Sequence, residues 1–469
     1  MNSSISVSFL FSVFILTILC SSNKGYALGG HHRHTVQISS LLPSSVCSNS
    51  TRDNSKNGSV GIVHKHGPCS PLNQDPAGQA NATEILSRDQ SRVESIQHQV
   101  GLIGTGKSST IPAKSGHSIG TGDYIVTVGL GTPKQVQSLI IDTGSVITWV
   151  QCQPCLGSCY QQQEPIFNPS KSNSYKDISC SSTQCSQLTS ATGYIPGCSS
   201  ANTCIYGIQY ADSSFSAGYF ATDTLTFSAA EGYVLPNIPF GCGQDNQGLF
   251  GGAAGLMGLG RNALSVVSQT ASRFGKYFSY CLPTPSSSSG YLSFGKSSSS
   301  SAKYKFTPLL PTSTSFYFFH ITGINLGGTP LPISETVFET AGTIVDSGTV
   351  ITRLPPAAYG PLRAGFRQAM SDYPLTSPAS ILDTCYDLSG YSVVWIPTVS
   401  FVLGGGVEVP INPQYGILYV VKASQVCLAF AGNGRASDVG IFGNMQQQTL
   451  DVVYDVDGGK LGFGAGGCS

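Results

Sequence analysis

Hydrophobic and polar positions alternate with a period of two along most of the chain after residue 122. The first such stretch is residues 124–129, and an apolar run at 138–141 then leads directly into Asp142. This alternation is typical of short β-strands with one buried face. Apolar spacing of the helical kind is rarer and is clearest at residues 263–274 and 357–370. The pattern therefore predicts an all-β protein with few short helices.

Composition supports the same fold class. The 469 residues include 55 Gly and 26 Pro, and only 10% are charged, which favours strands joined by tight turns over long surface helices. At this length, with 40% apolar residues, the chain can bury a core in each of two domains.

The N-terminus carries an apolar stretch from Val7 to Cys20, followed by Gly25 and Ala27 at positions that suit a cleavage site. We interpret residues 1–27 as a signal peptide. A membrane anchor is the alternative, but the stretch is shorter than the roughly 18 to 20 apolar residues that a span requires.

The cysteines support export. Of fifteen, Cys20 lies in the predicted signal, Cys47 and Cys69 follow it, and twelve lie from Cys152 onward. Even counts in both exported parts indicate disulfides formed in an oxidising compartment. The run CQPCLGSC could also be half of a zinc or iron–sulfur site, but the even counts favour disulfides. We predict no metal and no cofactor.

Residues 28–115 differ from the rest and are predicted to be a propeptide. They are polar, hold most of the histidines and contain the N-glycosylation sequons at Asn49, Asn57 and Asn81. A helix is predicted because apolar residues recur there on one face: Ile85, Leu86, Val93, Ile96 and Val100. Residues 101–122 have the composition of a linker.

Charge divides the chain at the same place. Residues 21–115 carry 9 Lys and Arg against 5 Asp and Glu, whereas residues 116–469 carry 15 against 19. Opposite signs could hold a prosegment against an acidic cleft until acid protonates the carboxylates. A passive disordered extension is the alternative.

A four-residue motif occurs twice. Asp142-Thr143-Gly144-Ser145 and Asp346-Ser347-Gly348-Thr349 each follow an apolar run. Each is also echoed downstream, by Leu256-Met257-Gly258 and by Ile441-Phe442-Gly443, which indicates an internal duplication. In a duplicated two-lobe protein, a pseudo-two-fold axis would bring the two aspartates together at the lobe interface, where clefts form.

Two neighbouring carboxylates share a proton, so that one can act as an acid and the other as a base. Two carboxylates at hydrogen-bonding distance cannot both ionise cheaply, which is the physical reason that they share the proton. Together they can activate water to attack an amide carbonyl. Gly144 and Gly348 allow close approach, and the hydroxyls of Ser145 and Thr349 can orient the carboxylates. This hypothesis requires that neither aspartate be held in a permanent ion pair with Lys or Arg.

These motifs resemble those of the pepsin-like aspartic peptidases, and within them the plant nepenthesin-type group, from Gly122 to Ser469. The resemblance implies a bilobal pepsin-like fold, with two pseudo-symmetric β lobes and an active-site cleft between them. The N-terminal lobe would span residues 122–300, with a Cys-rich insert at 152–204, and the C-terminal lobe residues 301–469. The resemblance also implies endopeptidase activity at acid pH that is sensitive to pepstatin.

The resemblance assigns further roles. Thr143 and Ser347 would exchange hydrogen bonds between the two active-site loops, and Trp149 would brace the flap residue Tyr210. The group usually has YGDG in the flap, whereas this chain has Tyr210-Ala211-Asp212-Ser213, which predicts a stiffer flap. The resemblance also implies six disulfides, which are Cys152–Cys155, Cys159–Cys242, Cys180–Cys204, Cys185–Cys198, Cys281–Cys468 and Cys385–Cys427.

Other functional classes fit the sequence less well. A serine or cysteine peptidase needs a histidine base, and His320, the one candidate well inside the mature region, lies in a strand-like sequence. A weak inhibitor or binding protein on the same scaffold, as in plant xylanase inhibitors, remains the alternative. Nucleic acid is not expected as a partner, because no basic run or patch is present.

The expected partners are protein or peptide substrates and the chain's own propeptide. We expect a monomer with no membrane span after signal removal. It would be secreted to the apoplast, with the vacuole as the alternative and the chloroplast disfavoured.

Overall fold

The structure is a computed structural model. It describes residues 33–42, 46–47, 58–73, 81–105, 124–210, 214–227, 233–248, 250–286, 289–296, 304–466 and 468. The predicted signal peptide and the sequons at Asn49 and Asn57 lie outside these ranges.

The strands up to residue 296 are β1 (Arg33–Gln37), β2 (Ser59–His64), β3 (Tyr124–Leu130), β4 (Gln135–Asp142), β5 (Trp149–Gln151), β6 (Lys176–Asp177), β7 (Gly197–Cys198), β8 (Cys204–Gln209), β9 (Phe215–Phe227), β10 (Val234–Gln247), β11 (Gly255–Gly258), β12 (Tyr277–Cys281) and β13 (Gly290–Phe294).

The strands from residue 304 onward are β14 (Lys305–Pro308), β15 (Tyr317–Phe319), β16 (Ile321–Leu326), β17 (Thr329–Pro330), β18 (Thr343–Val345), β19 (Thr352–Leu354), β20 (Leu375–Thr376), β21 (Cys385–Asp387), β22 (Val393–Pro397), β23 (Val399–Leu403), β24 (Val407–Pro410), β25 (Leu418–Lys422), β26 (Gln425–Leu428), β27 (Phe430–Gly432), β28 (Gly440–Phe442), β29 (Leu450–Asp455) and β30 (Lys460–Ala465).

The helices are α1 (Ala82–Thr105), α2 (Thr183–Thr192), α3 (Val266–Gln269), α4 (Ala271–Phe274), α5 (Thr336–Glu339), α6 (Pro356–Ala369) and α7 (Asn444–Gln447), with short 3₁₀ turns at Ile38–Leu41 and Pro169–Lys171. The prediction of an all-β protein with few short helices is confirmed. The single helix predicted at 263–274 is two helices, α3 and α4, that meet at Thr270.

One large sheet runs through both lobes. Its core order is β14-β30-β29-β12-β13-β2-β3-β4-β11-β5-β10-β9-β8-β7, so that strands from the C-terminal end flank those of the N-terminal lobe. The rings of Phe278 and Tyr454 stack across the junction with centroids 4.3 Å apart. Because paired strands and packed rings hold the lobes together, the position of one lobe's loops is fixed relative to the other's.

The segment predicted as a propeptide packs on this body. Strand β2 lies between β13 and β3 in the large sheet, and β1 forms a separate two-stranded sheet with β22. Helix α1 begins after Asn81, whose side chain accepts a hydrogen bond from the backbone N–H of Glu84 as an N-cap does. The apolar face predicted for this helix is the face that it buries, since Leu86, Val93 and Ile96 are almost fully buried. The helix runs to Thr105, farther than the predicted linker boundary at Gly101.

Four of the six disulfides implied by the resemblance are wrong. The structure has Cys152–Cys242 and Cys155–Cys159 in place of Cys152–Cys155 and Cys159–Cys242. It has Cys180–Cys198 and Cys185–Cys204 in place of Cys180–Cys204 and Cys185–Cys198. It pairs Cys281 with Cys468 and Cys385 with Cys427, as the resemblance implies, and adds Cys47–Cys69.

Strand geometry explains the corrected pairs. Strand β5 runs parallel to β10 with Val150 opposite Cys242, which places the following Cys152 beside that cysteine. Cys198 and Cys204 lie opposite each other on β7 and β8, but Cys204 is buried against α2 and Cys198 is exposed. The buried Cys204 therefore bonds the buried Cys185 of α2, which leaves Cys198 to bond Cys180.

Candidate active site

Each motif aspartate lies at, or directly after, the end of a buried strand. That strand pairs in parallel with the strand that carries the similar downstream sequence of the same half. Strand β4 pairs with β11, so that Asp142 lies opposite Gly258. Strand β18 pairs with β28 in the same way, and the backbone N–H of Asp346 then donates to the carbonyl of Phe442 at 3.1 Å. The duplication predicted from the sequence is thus a duplicated strand pair that ends in an aspartate.

The two active-site loops are joined by reciprocal hydrogen bonds. The backbone N–H of Thr143 donates to Ser347 Oγ at 3.1 Å, and the backbone N–H of Ser347 donates to Thr143 Oγ1 at 2.9 Å. These are the contacts that the resemblance implies for Thr143 and Ser347. Both side chains are buried, so water does not compete for these bonds and the loops stay in register across the lobe interface.

Each aspartate is oriented by its own loop. Ser145 Oγ donates to Asp142 Oδ2 and Thr349 Oγ1 donates to Asp346 Oδ2, both at 2.5 Å. The backbone N–H groups of the two motif glycines donate to the other oxygen of each carboxylate, at 2.9 Å for Asp142 and 3.2 Å for Asp346. The hydroxyl roles predicted for the fourth motif residues are therefore present in both halves.

The motif glycines leave room for the opposite carboxylate. A Cβ on Gly144 would lie 2.9 Å from Asp346 Oδ1, and a Cβ on Gly348 would lie 2.7 Å from Asp142 Oδ1. Neither distance is compatible with an ordinary side chain. The close approach predicted from these glycines is what brings the two carboxylates together.

Arg92 of α1 lies between the two aspartates. Its Nη2 atom is 2.6 Å from Asp142 Oδ1 and 2.8 Å from Asp346 Oδ1, and both carboxylates therefore meet at one nitrogen. Its Nη1 and Nε atoms donate to the outer oxygens of Asp142 and Asp346, at 3.0 Å and 2.9 Å. The guanidinium thus uses its fixed fork of donors on both carboxylates at once.

This contact sets the ionisation of the site. Burial would raise the pKa of Asp142, but the charge and hydrogen bonds of Arg92, with those from Ser145 and Gly144, lower the pKa of Asp142 below its usual value. Burial would lower the pKa of Arg92, and the charges of the two aspartates raise it above its usual value instead. Arg92 therefore favours the ionised form of Asp142 while α1 is in place.

Two more side chains fix α1 on the C-terminal lobe. Asp89 accepts hydrogen bonds from the backbone N–H groups of Val350 and Ile351, at 2.6 and 3.3 Å, and pairs with Arg353 at 2.9 Å. Gln97 donates to the carbonyl of Val439 at 2.8 Å and accepts from its N–H at 2.6 Å. These contacts determine the position of Arg92, which lies on the same helix face.

The chain is similar to known families over most of its length. Two family models match it, "Xylanase inhibitor N-terminal" at residues 124–296 and "Xylanase inhibitor C-terminal" at residues 316–465. An "Aspartyl protease family protein" of Arabidopsis thaliana is 52% identical and covers 98% of this chain and 99% of its own length. The chain belongs to the aspartic protease family.

Other relatives of this aspartic protease agree. "Aspartic proteinase nepenthesin-2" of Nepenthes gracilis is 37% identical and covers 73% of this chain and 77% of its own length, which confirms the plant nepenthesin-type group. The crystal structure of Basic 7S globulin from soybean matches with a TM-score of 0.59 at 22% identity, covering 74% of this chain and 93% of the other. At that identity the match supports the bilobal fold alone.

In this aspartic protease, Trp149 and Tyr210, the predicted brace and flap residues, are in contact. Trp149 Nε1 donates to Tyr210 Oη at 2.8 Å. The indole is fully buried, and Phe250 packs against it edge-on at 4.8 Å between centroids. Residues Ala211, Asp212 and Ser213, on which the stiffer-flap prediction depends, lie outside the described residues.

Sequence reasoning did not find Arg92, Asp89 or Gln97. The signal that could have found them is the helix itself, because Asp89, Arg92 and Ile96 recur with helical spacing on the face predicted to be buried. A charged residue on a buried helix face requires a partner of opposite charge. The general charge difference between the two segments was visible, but the specific cation was not.

The remaining candidates are accounted for elsewhere. His320 lies between β15 and β16, where its backbone carbonyl accepts the N–H of Gly404 at 3.0 Å. Cys155 and Cys159 of the CQPCLGSC run bond each other, and Cys152 bonds Cys242. Within the described ranges, no group of three or more His, Cys, Asp or Glu side chains is arranged to hold a metal ion. No helix in the described part of the chain is both long and apolar enough to cross a membrane.

Proposed function

We propose that this chain is the zymogen of a secreted aspartic endopeptidase, in which Asp142 and Asp346 activate water to hydrolyse peptide bonds at acid pH. The observation that carries the proposal is the convergence of the two carboxylates on one nitrogen of Arg92, at 2.6 and 2.8 Å. Two groups so close to one atom are also close enough to share one proton and one water molecule when that atom is removed.

The chemistry requires one protonated and one ionised carboxylate. The ionised member takes a proton from water as the water attacks the amide carbonyl, and the protonated member donates to the carbonyl oxygen. Ser145 and Thr349 keep the two carboxylates oriented throughout, since each donates to the outer oxygen. The shared proton belongs to the pair, and acid pH supplies it.

Arg92 accounts for the inactivity of the zymogen. While Arg92 is bound, the pKa of Asp142 is held low, which opposes uptake of a proton by Asp142. The guanidinium also fills the space that water and substrate need. Arg92 lies within residues 28–115, the predicted propeptide, so the ion pair is lost when that segment is removed. The net charges of the two segments, positive before residue 116 and negative after it, favour the same docking.

Secretion is supported by the apolar N-terminal stretch and by seven disulfides, which form in oxidising compartments. We place the mature enzyme in the apoplast as a monomer, with the vacuole as the alternative. Asn81 is exposed at the start of α1 and fits a glycosylated position.

An inhibitor on the same scaffold is the competing function, since both matching family models are described as xylanase inhibitor domains. A protein that only blocks another enzyme has no need of two oriented carboxylates. Here both aspartates keep a hydroxyl donor and a glycine N–H donor. This complete set favours the peptidase.

The test is hydrolysis of an unfolded protein by the acid-treated full-length chain, measured with and without pepstatin. We expect cleavage that pepstatin blocks, and a loss of at least a thousandfold in Asp142→Asn and in Asp346→Asn, because each removes half of the acid–base pair. Cleavage that survives both substitutions, or an acid-treated protein that cuts nothing, would refute the proposal.

A further inference from the structure

The contact between Asp89 and the C-terminal lobe has the form of a carboxylate-binding site. The backbone N–H groups of Val350 and Ile351 and the guanidinium of Arg353 converge on the Asp89 carboxylate. We call these three groups of the body the carboxylate pocket. Asp89 and Arg353 are both about 1% exposed or less, so the contact is sealed from solvent by α1.

The carboxylate pocket belongs to the peptidase body, whereas its occupant belongs to the segment that activation removes. In the described part of the chain the N–H groups of Val350 and Ile351 donate to Asp89 alone. When α1 leaves, two backbone donors and a guanidinium lose their anion. A partly buried cation without a counter-charge is costly, so this site gains from binding another carboxylate.

The pocket is near the reacting bond. Asp89 lies three residues before Arg92 on α1, so that the two side chains are neighbours about 5 to 6 Å apart at Cβ. Val350 follows the second active-site motif directly. Because an extended chain advances about 3.3 Å per residue, a side chain within about three residues of the cleaved bond can reach the pocket.

We infer that the mature enzyme uses Val350, Ile351 and Arg353 as a substrate subsite that selects a Glu or Asp side chain close to the scissile bond. This inference rests on the proposed peptidase function and specifies its substrate class. Asp89 occupies the subsite in the zymogen as a substrate carboxylate does in the mature enzyme. The guanidinium and the amide donors together distinguish a carboxylate from the amide of Gln or Asn.

The test uses mature protein, prepared from the full-length chain by acid treatment until α1 has been removed. A set of peptides, neutral except at one position, carries Glu or its isostere Gln at each of the four positions on either side of the cleaved bond. We expect kcat/KM at pH 5 to be about tenfold higher for Glu than for Gln at one position, and equal at the others. At pH 3 that ratio should fall towards one, since Glu has a reference pKa of about 4.3.

Variants assign the preference to Arg353. The Glu-to-Gln ratio should fall to about one in Arg353→Gln and be kept in part in Arg353→Lys, which retains the charge. Arg363→Gln is the matched control, because Arg363 is an exposed arginine of α6 that pairs with Asp383. If Arg353→Gln does not fold, the wild-type ratio and the Lys variant still decide the question.

The outcomes separate the two proposals. If neutral peptides are cleaved and the Glu-to-Gln ratio is one at every position, the carboxylate pocket is not a subsite, and the peptidase function stands. If no peptide is cleaved, the peptidase function itself fails. A Glu preference that persists unchanged in Arg353→Gln would place the selecting group elsewhere and overturn the inference.

Discussion

Arg92 donates two hydrogen bonds to Asp142, from Nη2 at 2.6 Å and from Nη1 at 3.0 Å, across a sequence separation of 50 residues. The same guanidinium reaches Asp346. This contact joins the segment before residue 116 to the centre of the peptidase body. Removing its charge should therefore release the helix and expose the aspartates.

Arg92→Met should give a precursor that processes itself or cleaves peptides under conditions in which the wild type does not. Losing one partner of a buried ion pair costs about 3 to 5 kcal/mol, which weakens docking of the segment roughly a hundredfold or more. The measurement is the rate of precursor cleavage against pH. Arg88→Met is the matched control, because Arg88 lies one turn earlier, is equally buried and pairs with Glu84. Equal behaviour of the two variants would contradict the role of Arg92.

Acid should loosen the segment through the buried His64 and the half-buried His66 as well as through the aspartates. Burial lowers the pKa of His64 well below 6.5 and lowers the pKa of His66 to about 3, and the nearby Lys65 lowers both further. The His64 ring packs edge-on against Tyr124, and Arg88 also faces His66. When docked, these groups bind fewer protons than when free, so docking weakens as pH falls from about 6.5 towards about 3.

Other groups change this pH dependence. The pKa of Asp142 is lowered, which weakens docking further as pH falls below the ordinary aspartate value. Burial raises the pKa of Asp89, which has the opposite sign and strengthens docking slightly in acid. Each histidine that stays neutral when the segment is docked weakens the free energy of docking by about 1.4 kcal/mol for every pH unit below its pKa in the free segment. The histidines therefore dominate the pH dependence of docking between about pH 6.5 and 4.

A His64→Gln, His66→Gln double variant should therefore require a more acid pH to release the segment, by about one unit. The measurement is the midpoint of precursor processing or of α1 dissociation against pH. His98→Gln serves as the control, because His98 is exposed on α1. An unchanged midpoint in the double variant would exclude the histidines as pH sensors.

The revised disulfides predict unequal effects on stability. Cys152–Cys242 closes a separation of 90 residues and Cys155–Cys159 one of 4, so their removal should cost roughly 4 to 5 and roughly 2 kcal/mol in the chain-entropy model. Paired Cys→Ala variants and denaturant unfolding check this difference. Peptide mapping without reduction tests the pairs directly, and a fragment linking Cys152 to Cys155 would contradict them.

Tyr210→Phe should weaken the flap without removing a reacting group. The substitution leaves the buried Trp149 N–H without the acceptor that it has at 2.8 Å, at a cost of about 1 to 3 kcal/mol. We expect kcat/KM to fall by roughly tenfold with a smaller change in the unfolding midpoint. A fall in stability with kcat/KM unchanged would show that the pair is structural only.

Much of the candidate site could be predicted from the sequence, because the patterns that indicate it involve residues close together in the chain. The apolar runs before Asp142 and Asp346, with glycine and hydroxyl residues after them, predict strand ends that present a carboxylate, and the structure has both. The helix at residues 85–100 was predicted from apolar spacing alone, and its buried face is the one expected. Periodicity encodes such features within a few residues.

The disulfide pairs, and the position of Arg92 between the two aspartates, could not be predicted from such local patterns. Cys152 bonds Cys242 because β5 and β10 run side by side, and Cys185 bonds Cys204 because both are buried on the same side of β8. Spacing along the chain does not contain these relationships. Connectivity depends on which Cβ atoms the completed fold brings within bonding range.

The amino-acid sequence by itself determined the two aspartates, the loops that orient them and the strands on which they end, since each depends on neighbouring residues. The tertiary structure alone decided that Arg92 meets both aspartates and that Asp89 meets Arg353. Those contacts join positions 50 to 264 residues apart. They form only when the helix, the two lobes and the sheet that connects them have all packed, because buried charges are placed by the whole fold.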